Sequence, residues 1–461
     1  MLTNLMKKTI LLSIIIALFG CEKTSDPVGT NPVQDKVYLQ GLMSAWYLWN
    51  DELPSIDIDD YSTQDEMLLA LRNEQDKWSL IQSKADYDAY YGSGQVTSGD
   101  EGAHGIYMNY ISEQDLYIRF SYPGSKAYEA GLRRGTRIKS INGLQVSDAN
   151  SDQINSSLGK NLKGVENTFE ITIPSITKYV DGEKVEVSAQ RDTTITIAKE
   201  ELIIQPVLLS EVIELPDGKK VGHLVFKSFI ETAEEALANA FAEFKSEGVT
   251  ELVLDLRYNG GGRVNIASQI AGYVLPSSAS GKELFKYQHN PLQSAEYDES
   301  QNVELMPSNL NLERIFIFGE GGTASSSELV INSLKPYMDV QLLGQNTYGK
   351  PVGSYAFVNE SNNAYVYSII SLRILNANGE GNYFDGLPVD QLVEDNVMYD
   401  WGDVNEPMLY QALYKIEHGT YDLPVIASAR MNEVNLEHKN KAFKKAEPKE
   451  EIFNTIMMLK K

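Results

Sequence analysis

From Ile203 to Pro424 short apolar runs alternate with longer amphipathic ones. "KVGHLVF", "ETAEEALANAFAEFKSEG", "ELVLDLRYNGGG", "VNIASQIAGYVLP", "ERIFIFGE", "SSELVINSLKPYM" and "VQLLGQ" follow one another in that order. Such alternation makes βαβ units, which put the strands parallel and cover both faces of the sheet with helices. The predicted class is α/β and multidomain, since 461 residues are more than one such core needs. Ligands of these sheets gather beyond the C-terminal ends of the strands. The turns after "LVLDL", "RIFIF" and "VQLLG" are therefore where chemistry is to be sought.

Two regions precede this core, which is expected over 201–425. Over 36–100 the spacing of Tyr38, Leu42, Trp46 and Trp49 in "VYLQGLMSAWYLWNDEL" predicts a helical domain. Its second helix, "STQDEMLLALR", opens on a Ser-x-x-Asp cap. Over 101–200 the pattern turns to strands, among them "LYIRFSY", "TFEITIPSI" and "VEVSAQRDTTITIA". Inside that stretch "PGSKAYEAGLRRGTRIKSINGLQV" resembles the centre of a PDZ domain: a short helix with Ala127 and Ala130, then Gly131 and Gly135 at tight turns. PDZ domains add a peptide to a sheet edge and hold its terminal carboxylate in a backbone nest. The resemblance puts that nest at "GAHGIYM", on Gly105 and Ile106.

The two ends read differently. Lys7 and Lys8 precede a short apolar run and then "LFGC". The run is shorter than the ~18 residues a membrane span needs, so residues 1–20 are expected to be an export signal. "LFGC" resembles a bacterial lipobox, which implies that Cys21, the single cysteine, is lipidated. Residues 21–35, rich in Pro and Gly, form a tether, and 426–461 a charged, peripheral helical tail. The expected location is the cell envelope, on the periplasmic side or the outer membrane surface. A formal net charge of -24 argues against nucleic acid as a partner.

The chemistry is sought in three turns. "GGTASSSELV" places Ser325 between an apolar strand and a helix, where a nucleophile or a helix cap would stand; Ser325-x-x-Glu328 is itself a capping box. Of the five histidines none lies in a strand-end turn that suggests a triad; His223, in "KVGHLVF", reads as an ordinary strand residue. A lysine can replace histidine as the base if burial makes it neutral, which asks its pKa to fall about 3 units from roughly 10.4. Lys350, in "GQNTYGKPVGSYAF", follows a strand and has no acidic neighbour in sequence. Gly344 to Lys350 also has the spacing of a phosphate loop, but Pro351 stands where the metal-binding hydroxyl should be, and a strand follows instead of a helix. The third turn, "LRYNGGG", can aim backbone N–H groups at an oxyanion.

Together these segments resemble the C-terminal processing, or tail-specific, peptidases. The family's "DLRNNPGG" is similar to "DLRYNGGG", its "SASASE" to "TASSSE", its "TFGKGSVQ" to "TYGKPVGS" and its "GIEPDV" to "GLPVDQLV". The resemblance implies Ser325 as nucleophile, Lys350 as general base and the amides of Gly261 and Ser326 as oxyanion donors. Glu328 either orients the dyad or caps the helix. It implies a serine endopeptidase acting on exported or unfolded polypeptides, with no cofactor and no metal. Two departures stand out. The family's glutamine four residues after the lysine is Ser354, and its "VGYI" is "VGHL", so Ser354 or His223 is a candidate to orient Lys350. The missing glutamine also motivates a second reading, a peptide-binding lipoprotein of the same fold without activity.

Overall fold

The strands Lys220–Phe226, Glu251–Asp255, Arg314–Gly319 and Asp339–Gly344 are buried at nearly every position. Parallel strands covered on both faces require this. In the computed structural model, which describes residues 31–112, 114–422 and 457–458, they are neighbours in that order and run parallel. Val207–Glu214 adds antiparallel at one edge and Gln391–Leu392 parallel at the other. Alternate residues face opposite cores. Leu252, Leu254, Ile315 and Ile317 meet the helices Ala233–Glu247, Val264–Val274 and Ser326–Leu334. Val221, Val253, Phe316 and Phe318 meet the helix Pro407–His418. The α/β class follows, with helices on both faces.

A second sheet was not legible as such. Tyr365–Asn376 pairs antiparallel with Glu283–His289, with Val352–Val358 and with Leu80–Ser83. The last of these comes from the N-terminal segment. That segment shares its core with the rest: Leu39, Met43 and Met67 lie in the same apolar cluster as Leu254 and Ile317. Its first helix, Pro32–Trp46, starts inside the expected tether, because Asn31 caps it and Pro32 suits the first turn. The second helix is capped by Thr63 with Glu66 rather than by Ser62 with Asp65.

Residues 101–200 hold a six-stranded antiparallel sheet in which Ile106–Ser112 is an edge strand. The helices Lys126–Glu129 and Ser151–Leu158 accompany it. The expected strand "VEVSAQRDTTITIA" is split: Ile176–Val180 and Glu183–Ser188 form a separate hairpin, and Arg191–Ala198 returns to the sheet. Residues 457–458, in the tail expected to be helical, pair as a strand with Ser354 and Tyr355, since an edge strand offers unpaired backbone groups. The signal segment and Cys21 lie outside the described residues. Among those residues no helix is long and apolar enough to cross a membrane.

Candidate active site

Three consecutive serines, all fully buried, begin the helix after Arg314–Gly319. The Ser326 hydroxyl donates to the Gly262 carbonyl at 2.7 Å and the Ser327 hydroxyl to the Asn259 carbonyl at 2.9 Å. Both stitch the helix start to the glycine turn that follows Glu251–Asp255. Ser325 Oγ has no hydrogen-bond partner among the described residues. Its backbone has φ 62° and ψ −118°, a conformation that costs a non-glycine residue about 1–3 kcal/mol. A strained turn therefore presents one hydroxyl that the fold does not use.

The glycine turn lies against it. A Cβ on Gly261, whose φ is 99°, would sit 2.8 Å from the Ala324 carbonyl oxygen, from Ser325 Cβ and from the Ser326 nitrogen, so only glycine fits. Asn259 shapes the turn: its side-chain amide donates to the Phe226 carbonyl at 2.8 Å, and its Oδ1 accepts from the Gly261 N–H at 2.9 Å. The Gly261 amide is thus engaged within the turn, whereas the Ser326 N–H has no acceptor among the described residues. It is one of the unpaired amides of the first helical turn.

Glu328 brings Lys350 to this place. Its Oε2 accepts from the N–H groups of Ser325 (2.9 Å) and Lys350 (2.8 Å). Its Oε1 accepts from the Thr347 hydroxyl (2.6 Å) and the Gly349 N–H (2.7 Å). One carboxylate therefore caps the helix and clasps the loop that carries Lys350. Burial pushes the Glu328 carboxyl above the usual range, while its four donors favour the charged form. The Thr347 hydroxyl in turn accepts from the Leu387 N–H at 2.7 Å, which fastens the loop from its far side. Lys350 is 1% exposed, and its ammonium nitrogen lies 5.9 Å from the centre of the Trp78 ring.

His223 and the expected peptide nest stand elsewhere. His223 shares the alternation of Val221, on the sheet face covered by Pro407–His418; its ring neighbours are Glu211, 3.5 Å away, and Phe318. Ser354 is fully buried in the strand just after Lys350. Gly105 (φ 71°) precedes, and Ile106 begins, the edge strand of the six-stranded sheet, in residues 101–200. That domain reaches the glycine turn through Tyr258. Arg134 donates to the Tyr258 hydroxyl at 2.8 Å, and Arg119 lies 3.8 Å over its ring while pairing with Glu320 at 2.9 Å. Arg134 and Arg257 meet at Asp395, at 2.5 and 2.8 Å. Sequence reasoning left Asn259, Thr347 and Trp78 without a role, although the first two stand inside the segments it singled out.

The chain is similar to proteins of one family. Residues 220–386 match the model of peptidase family S41, and residues 38–80 match that of the S41 N-terminal domain. The carboxyl-terminal-processing protease of Synechocystis is 26% identical over 262 residues, covering 56% of this chain and 56% of that protein. A Staphylococcus aureus protein named "Probable CtpA-like serine protease" is 25% identical over 274 residues, 58% of this chain and 49% of its own. The chain thus aligns with about half the length of these curated relatives. A crystal structure from Bacteroides fragilis, assigned to the S41 proteases, superposes with a TM-score of 0.67 at 26% identity and covers 84% of this chain and 98% of its own. Ser325, Glu328, Lys350 and Gly261 all lie within the first matched span, and residues 220–386 form a domain of peptidase family S41.

Proposed function

We propose that the protein is a serine endopeptidase in which Ser325 is the nucleophile and Lys350 the general base. The observation that carries this reading is the Ser325 hydroxyl: it is buried and strained, and of three adjacent serines it alone lacks a hydrogen bond. Neutral Lys350 takes the proton as Ser325 Oγ attacks the peptide carbonyl, then returns it to the leaving amine. Water deprotonated by the same lysine resolves the acyl-enzyme. The Ser326 N–H meets the oxyanion. The Gly261 N–H joins it by exchanging Asn259 Oδ1 for the developing charge, a donor worth about 3 kcal/mol in the barrier.

In this reading the sheet of residues 101–200 is a PDZ domain. A substrate strand pairs with the open edge of Ile106–Ser112, its carboxylate near Gly105 and Ile106. The chain is exported and held at the cell envelope by a lipid on Cys21. The second reading, a peptide-binding lipoprotein without activity, is favoured by Ser354 in place of glutamine and by the engaged Gly261 amide. Hydrolysis of an unfolded protein by wild type, Ser325→Ala and Lys350→Ala decides between them. Activity lost in both variants supports the dyad. Wild-type protein that binds the substrate without cutting it supports the second reading, and turnover by either variant removes the dyad.

A further inference from the structure

The N-terminal segment places an aromatic ring beside the base. Trp78 stands over Lys350, and Phe384 stacks on its indole, with centroids 6.3 Å apart and planes 29° apart. The position is built. Asp76 Oδ1 accepts from the N–H groups of Trp78 and Ser79, both at 2.9 Å, and the Ser79 hydroxyl receives the Ile370 N–H at 3.0 Å. Arg72 reaches the Ser79 carbonyl at 3.3 Å. This turn is therefore locked onto Tyr365–Asn376, the strand that also pairs with the one following Lys350. Trp78 Nε1 is buried without a hydrogen-bond partner. An unpaired buried N–H is unfavourable, so what this side chain supplies is its apolar body.

We infer that Trp78 is a positioning residue that keeps water from Lys350 and so holds the lysine in its neutral, proton-accepting form. The inference rests on the dyad reading above. Two effects of the ring oppose each other. Its π face attracts an ammonium and so favours the charged lysine; this attraction reaches to about 6 Å, and 5.9 Å is its outer limit. Excluding water favours the neutral lysine, and full burial can move a lysine by about 3–5 pH units. Exclusion wins. The indole comes from a segment far upstream of Lys350.

The test is the pH profile of kcat/KM on one peptide for wild type, Ser325→Ala, Trp78→Phe, Trp78→Leu and Trp78→Gln. The acidic limb reports the free base. Phenylalanine should leave it nearly in place, leucine should move it upward by less, and glutamine by about one pH unit. At a fixed pH below the limb that last shift is a tenfold loss, recovered at higher pH. Any two of the three variants establish the order if one fails to fold. Loss of activity in Ser325→Ala with an unmoved limb in the Trp78 variants overturns this inference and leaves the dyad standing. Activity in Ser325→Ala overturns the dyad and this inference with it.

Discussion

The backbone amides of Ser325 and Lys350 end on one oxygen, Oε2 of Glu328, at 2.9 and 2.8 Å. The turn of Ser325 and the loop of Lys350 are thus registered by a side chain that need not touch substrate. Glu328→Gln replaces one of two acceptors by a donor, and whichever way the amide lies an N–H of the loop or of the helix start is left facing it. We expect a stability loss of about 1–3 kcal/mol in urea unfolding. We expect kcat to fall about 10²-fold with KM changed by less than about threefold, because displacement of the base acts on the chemical step.

Ser326 and Ser327 supply hydroxyls to the glycine turn, and Ser325 supplies none. Ser326→Ala and Ser327→Ala should each cost about 1 kcal/mol and keep measurable turnover. Ser325→Ala should relieve an unpaired buried hydroxyl, leave the unfolding midpoint unchanged or raised, and end turnover. Steady-state kinetics and urea titration of the three variants check the contrast.

The α/β class was legible because its signal is local, and so were the two turns that carry Ser325 and Lys350. Alternating apolar runs name their own elements, and "TASSSE" and "TYGK" each lie in one turn. What was not legible depends on distant pieces. Leu80–Ser83 completes a sheet made of residues more than two hundred positions later. Trp78 reaches Lys350 through the Asp76 turn and its bond to Ile370, and no periodicity announces either. Glu328 could be read as a cap, and it is one; its clasp on Thr347, Gly349 and Lys350 appears when the next strand is laid beside the helix. Asp395 sits in a polar stretch that reads as a loop, yet it joins two buried arginines.

Asp395 ties the residues 101–200 domain to the core. The guanidinium groups of Arg134 and Arg257 hold its carboxyl well below the usual range, against burial that pushes it up. Asp395→Asn leaves Arg134 buried without a carboxylate partner and should destabilise the protein by about 3–5 kcal/mol. Asp255 and Glu406 still hold Arg257, so the glycine turn itself should persist. Limited proteolysis should then cut first between the two domains. Cleavage that starts in the core would refute this.

Asp400 gives a pH dependence of definite sign. Burial pushes its carboxyl up to about 6, against the bond from the Trp401 N–H and the nearby Arg133, Arg134 and Lys178. The native state therefore holds a proton that the unfolded chain releases near its ordinary value of 3.8. The contribution of Asp400 is full below that value and is lost as pH rises through about 6, a decline of about 3 kcal/mol. Asp400→Asn should remove this decline from urea midpoints measured between pH 4 and pH 7. A slope equal to that of wild type would show that Asp400 is not its source.

The central claim is that Ser325 is the nucleophile, and covalent capture tests it most directly. Wild-type protein treated with a peptidyl fluorophosphonate should gain one adduct in its intact mass, and fragmentation should place that adduct on Ser325 rather than Ser326 or Ser327. Lys350→Ala should slow its formation at least about a hundredfold. An adduct on another residue, or full peptidase activity in protein that forms none, would contradict the account.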